Sequence, residues 1–111
     1  MTLATAFLCT FAMTVTSHAD ENIAAKPVKP FNVKATFSGI CGFCHEDYGR
    51  HAGKGPRLMD SPNSDEFLFK RIKKGKPGRM AAFGSVFSDE QIIQIVVFIR
   101  SLKADEEPQN P

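Results

Sequence analysis

The sequence predicts an all-α fold of three to four short helices joined by long loops. Apolar residues recur at helical spacing in three separate segments. Each segment opens on a residue suited to cap a helix: Asn32, Ser64 or Ser88. The connecting stretches, Gly42 to Asp60 and Lys76 to Val86, are rich in glycine and proline and read as loops.

Asn32 caps a first helix running from about Val33 toward Cys41, with Val33, Phe37 and Ile40 at i, i+4 and i+7 on one face. Ser64 opens the second. Asp65 and Glu66 in its first turn face the positive end of the helix dipole, Phe67, Leu68, Phe69 and Ile72 supply its apolar side, and Gly75 stops it. Ser88 with Gln91 forms a capping box for the last helix. There Ile92, Val96 and Ile99 share a face, flanked by Ile95 and Phe98, and Leu102 closes the stripe. A run this rich in Ile and Val also suits a buried strand. The cap, the length and the interruptions at Gln94 and Arg100 favour the helix.

The 111 residues suit one domain, and 42% hydrophobic residues suffice for a core. A net charge of +2 is too small to argue for nucleic acid. Residues 1–19 read as a secretory signal peptide: Leu3 to Val15 is apolar, and Ser17-His18-Ala19 offers a cleavage site. No Lys or Arg precedes Lys26, which is atypical, and an uncleaved anchoring helix is the alternative. The apolar run is short of the ~20 residues that span a bilayer, so no stable membrane insertion is expected once the leader is cleaved near Ala19. Cys9 leaves with it. Residues 20–30, DENIAAKPVKP, read as an extended arm, 31–103 as the folded domain and 104–111 as an acidic disordered tail. The exported remainder is small for a self-sufficient core, and such domains often need a metal, a disulfide or a cofactor.

Its remaining cysteines, Cys41 and Cys44, stand in C-x-x-C-H with His45. A redox dithiol needs a strand-to-helix βαβ setting, and no strand-rich segment precedes Cys41. A zinc site usually needs a second ligand pair, and no second C-x-x-C or H-x-x-H occurs. Attachment of a c-type haem uses every member: Cys41 and Cys44 form thioethers to the vinyl groups, and His45 binds the iron. Such a haem would also supply the apolar core that the chain is too small to build alone, among its many phenylalanines.

The candidates for a sixth iron ligand are His51, Met59, Met80 and the lysines. His51 follows His45 too closely to reach the other haem face. Met59 sits beside Leu58 in a loop expected on the His45 side. Met80 lies far along the chain, in a Gly/Pro-bounded loop between two helices, and is the expected ligand. Core filling is the alternative use for such a methionine.

The order FSGICGFCH, GKGPRL, a helix, KPGRM and a last apolar helix resembles the class I c-type cytochromes, from Phe31 to Leu102. The resemblance implies a small cytochrome c fold, with residues 31–103 as a cytochrome c domain around one covalent haem c. It implies that Phe37 packs where the first and last helices cross, that the Pro56 carbonyl accepts from the His45 Nδ1–H, and that Leu58 walls the proximal side. Ala81 departs from the family, where proline often follows the ligand methionine. The stretch AGKGPRLMDSPNSDEFLFKRIKKGKPGRMAAFG is similar to small periplasmic cytochromes that accept electrons from PQQ-dependent methanol and ethanol dehydrogenases. That implies a periplasmic electron carrier, not an enzyme, with such a dehydrogenase as donor and a cytochrome or terminal oxidase as acceptor. A haem enzyme or gas sensor is the rival, and needs an open sixth position. A subunit held on a larger dehydrogenase is another.

Lys70, Arg71, Lys73, Lys74, Lys76 and Arg79 crowd the segment before Met80. They are either a solvated helix side or a patch that steers an acidic redox partner. Arg57 and Tyr48 are candidates for hydrogen bonds to a haem propionate.

Overall fold

The computed structural model describes residues 30–111. The signal peptide and nearly all of the arm expected from the sequence lie outside them. The helices are α1 (Val33–Gly39), α2 (Asp65–Lys74) and α3 (Asp89–Ser101), with 3-10 turns at Cys41–Phe43 and Asp47–Gly49. The fold is all-α. Among the described residues the only strand-like pairing is an isolated antiparallel bridge between Lys76 and Met80, and no helix is long and apolar enough to cross a membrane.

All three caps form. Asn32 Oδ1 accepts from the Ala35 N–H at 2.9 Å, and Ser64 Oγ from the Phe67 N–H at 3.2 Å. Ser88 Oγ accepts from the Gln91 N–H at 3.3 Å while Gln91 Oε1 accepts from the Ser88 N–H at 2.9 Å. Each satisfies amides that no helical carbonyl can reach, worth ~1 kcal/mol. Gly75 ends α2 with φ +68°, a conformation that costs glycine little.

Helix α3 is the hub and packs on both α1 and α2. The core joins Val33 and Phe37 of α1, Leu68 and Ile72 of α2, and Ile92, Ile95, Val96, Phe98 and Ile99 of α3. Phe37 and Phe98 are essentially fully buried, their ring centroids 5.4 Å apart, where α1 meets α3. Side chains of this kind contribute roughly 1.5–3 kcal/mol each on burial. Arg100 ties the loop before α2 to α3: Nε donates to Asp65 Oδ1 at 2.7 Å and Nη1 to the Ser61 carbonyl at 2.8 Å.

Two expectations change. Helix α1 stops at Gly39, so Ile40 leaves the buried face it would hold in a longer helix and is 39% exposed. The tail at 104–111, expected to be disordered, is laid against α1 and the Asp47–Gly49 turn. Lys34 Nζ pairs with Glu107 at 2.5 Å, the Lys34 N–H donates to Asn110 Oδ1 at 2.9 Å, and Pro108 is buried. Its acidic side chains find cations there while staying largely exposed: Glu107 pairs with Lys34 and Glu106 with Lys103.

A Cβ added at Gly39 would meet nothing within 4 Å, and its φ is not left-handed. Gly39→Ala is therefore expected to stabilise the protein by ~0.4–1 kcal/mol, by removing freedom from the unfolded chain. Thermal unfolding checks this. A lower midpoint would mean that the end of α1 needs glycine for a reason its surroundings do not display.

Candidate functional site

The site is built on the chain reversal after α1. In the 3-10 turn the Cys44 and His45 amides both donate to the Cys41 carbonyl, at 3.1 and 2.9 Å. This brings Cys41, Cys44 and His45 onto the wall of one cavity of about 570 Å³, within the size range of ligand sites. The two thiols are free. Burial pushes the Cys41 thiol up to about 11, so it is neutral at ordinary pH.

His45 is buried at 8% exposure. Its Nδ1 lies 2.9 Å from the Pro56 carbonyl, which only accepts, so Nδ1 carries the proton and donates. Nε2 is left with its lone pair. The loop around Pro56 is pinned at both ends: Gly55 N–H donates to the Cys44 carbonyl at 2.8 Å, and Leu58 and Met59 N–H both donate to the Gly49 carbonyl, at 2.8 and 3.0 Å. Gly55 passes so close to the imidazole that an added Cβ would lie 2.5 Å from Cε1.

Met80 reaches the same cavity from a rigid turn. The Lys76 carbonyl accepts from Arg79 and Met80 at 2.9 and 2.8 Å, and Lys76 N–H donates to the Met80 carbonyl at 2.8 Å. Pro77 and then Gly78, at φ +72°, occupy the centre of the turn, as a type II turn prefers. Phe83 and Gly84 N–H groups cap the last carbonyls of α2, at Ile72 and Lys73, both at 3.0 Å. The segment carrying Met80 is thus fastened at both ends.

Leu58, Leu68, Ile72, Phe83, Ile95 and Ile99 make much of the wall apolar. Its charged members are Lys54, Arg57, Arg71, Lys76 and Arg79, with no carboxylate among them. Arg57 is held by Asp60 at 2.8 Å. Arg71 lies over the Phe67 ring, 5.1 Å from its centroid. Sequence reasoning counted Arg71 only as part of a basic run. Its i, i+4 spacing from Phe67 on α2 was the available signal.

Other candidates fall elsewhere. Met59 is buried in the core and does not line the cavity. His51 is exposed, with Nδ1 3.5 Å from Asp47. Tyr48 packs edge-on to Phe98, 6.3 Å between centroids, away from the cavity wall. Among the described residues no group of three His, Cys, Asp or Glu is placed to hold a metal ion. A haem c, by contrast, suits what is there: two thiols one helical turn apart, an imidazole with one nitrogen free, a thioether, apolar walls, and cations for two propionates.

Residues 31–99 match the family model described as cytochrome c oxidase, cbb3-type, subunit III, over more than half of the chain. The chain belongs to this family of c-type cytochromes. No curated protein matches it. Among solved structures, this cytochrome is similar to the c-type cytochrome NirC, at 21% identity and TM-score 0.54 over 60% of this chain and 82% of that one. It is similar to a mutant of Kustc0563, at 23% identity and TM-score 0.57 over 66% of this chain and 100% of that one. A third likeness, at 28% identity and TM-score 0.57, is to the dihydro-heme d1 dehydrogenase NirN in complex with DHE; it covers 68% of this chain but 17% of that one. The first two show the fold. Membership makes the protein a class I c-type cytochrome, a family whose covalent haem c transfers electrons between redox partners.

Proposed function

We propose that the cytochrome is an exported, periplasmic one-electron carrier that holds a single haem through Cys41 and Cys44, with His45 and Met80 as axial ligands. The observation that carries this reading is the pairing of the two side chains at one cavity: His45, with Nδ1 committed to Pro56, and Met80, on a turn fastened at both ends. The bound haem supplies an Fe(III)/Fe(II) couple, which a thioether ligand biases toward the reduced form. The chain's own part would be to hold His45 and Met80 as the two ligands and to keep water from the apolar wall. Arg57 and Arg71 stand ready for the propionates.

The donor we propose is a PQQ-dependent alcohol dehydrogenase, on the similarity of residues 52–84 to the cytochromes that serve those enzymes, with a cytochrome or terminal oxidase as acceptor. The docking charge is narrower than the sequence suggests. Lys70 is paired with Glu66 at 2.5 Å and Lys73 with Asp89 at 2.7 Å, whereas Lys74, Lys76 and Arg79 have no carboxylate partner among the described residues. Reversing Lys74, Lys76 and Arg79 to glutamate is expected to slow reaction with an acidic partner about tenfold at low salt, with the difference shrinking as salt rises. Stopped-flow rates against ionic strength check it. Equal rates at low salt would leave the patch as solvated surface.

The test of the proposal itself is the visible spectrum of protein expressed with periplasmic haem attachment. A sharp reduced α-band with a weak near-infrared band in the oxidised form is expected for His/Met ligation. A high-spin spectrum that shifts with carbon monoxide would mean an open iron, and a haem enzyme or sensor.

A further inference from the structure

Arg50 lines no part of the haem cavity, yet its side chain is only 13% exposed and every nitrogen of its guanidinium is bonded. Nε donates to Asp47 Oδ2 at 2.9 Å and Nη2 to Asp47 Oδ1 at 2.5 Å. Nη1 donates to the Glu106 carbonyl at 2.8 Å and more loosely to the Lys103 carbonyl at 3.5 Å. The carbonyls belong to the C-terminal segment, which lies beyond the residues matched by the family and is fastened independently to Lys34 through Glu107 and Asn110.

What this clasp holds is an unusual piece of backbone. Asp47, Tyr48 and Gly49 have φ of +50°, +56° and +91°, three left-handed residues in succession, and two of them carry side chains. Such a run persists only where its surroundings over-determine it. It aims the Gly49 carbonyl at the Leu58 and Met59 amides, which anchors the far end of the loop whose near end is tied to Cys44. Between the anchors sits Pro56, 2.9 Å from His45 Nδ1.

We infer that Arg50, clasped by the C-terminal segment, is a positioning residue for the axial side of the haem: it fixes the left-handed turn that sets the His45–Pro56 hydrogen bond. That bond determines how much electron density the imidazole offers the iron, since a well-accepted Nδ1–H makes the ring a stronger donor. A stronger donor favours the oxidised iron, so the clasp holds the reduction potential down. The inference rests on His45 being the axial ligand.

The test uses the haem-loaded protein with three changes: Arg50→Gln, Arg50→Lys, and a chain ended at Lys103. The last leaves the Asp47–Arg50 pair intact and guards against a variant that fails to fold. The midpoint potential and the exchange rate of the His45 Nδ1 proton by NMR are measured. Arg50→Gln is expected to raise the potential and speed exchange about tenfold, the factor that loss of one modest hydrogen bond allows. Arg50→Lys falls between, because a single ammonium cannot reproduce the planar fork. Ending the chain at Lys103 should move both readouts in the same direction. Unchanged potential and exchange in all three, with only the melting temperature lowered, would reduce the clasp to a structural fastening and overturn the inference alone. A wild-type spectrum without histidine ligation would instead overturn the axial assignment and the clasp with it.

Discussion

Met80→Ala is expected to convert a closed low-spin centre into one that binds carbon monoxide. On the proposed ligation the Met80 thioether meets the iron opposite His45; Met80 lines the cavity from a fastened turn, and alanine there is too short to serve. Of the alternatives from the sequence, Met59 and His51 cannot replace it. Met59 is committed to the core at 7% exposure, and His51 is exposed beside Asp47 and lines no part of the cavity. The near-infrared band should vanish. The potential should fall by on the order of 0.1 V, a fraction of the roughly 0.8 V over which axial ligands set haem potentials. Removing a half-buried methionine also forfeits packing, of order 2 kcal/mol at the low end of such truncations. Absorption spectra with and without carbon monoxide, together with potentiometry, read all of this. Retention of the near-infrared band would identify Met80 as a filler of the wall and send the search for the ligand elsewhere.

The features legible in the sequence were local ones. A cap and the amide it serves lie three residues apart, so Asn32, Ser64 and the Ser88–Gln91 box could be read directly, and helical spacing named Phe37, Leu68, Ile72 and most of α3 as core. The hydrogen bond from His45 to the Pro56 carbonyl, implied by resemblance, is present. What could not be read depends on chain segments meeting across the fold. Lys34 and Asn110 are 76 residues apart, and the tail's acidic composition says nothing about the cations it will find. Lys73 reads as a free charge until α3 brings Asp89 to it. The left-handed φ of Asp47 and Tyr48 has no compositional signal, because neither residue is glycine. Met59 belongs to the core because the Gly49 carbonyl fixes its amide, a contact that apolar periodicity does not encode.

On the proposed ligation, Gly55→Ala should do to the histidine side what Met80→Ala does to the methionine side, and with a larger loss of stability. The added Cβ would lie 2.5 Å from His45 Cε1 and 2.9 Å from Nδ1, inside any tolerable contact. Neither party can give way cheaply. The Gly55 amide is bonded to the Cys44 carbonyl, and the imidazole is fixed by Pro56 and by its place after Cys44. Overpacking of this kind costs about 1–3 kcal/mol, and a ring pushed off Pro56 loses a hydrogen bond worth about another 1 kcal/mol. A melting temperature lower by roughly 10 °C follows for a domain of this size, with a spectrum shifted toward high spin as the histidine is displaced. The comparison with Gly39→Ala separates the causes. Both changes add one methyl group and stiffen the unfolded chain alike, so that effect cancels between them. The difference in melting temperature then reports the clash at His45. If the two variants melted together and shared the wild-type spectrum, the imidazole would not be resting against the Gly55 backbone once haem is attached, and Pro56 would have to hold it in another pose.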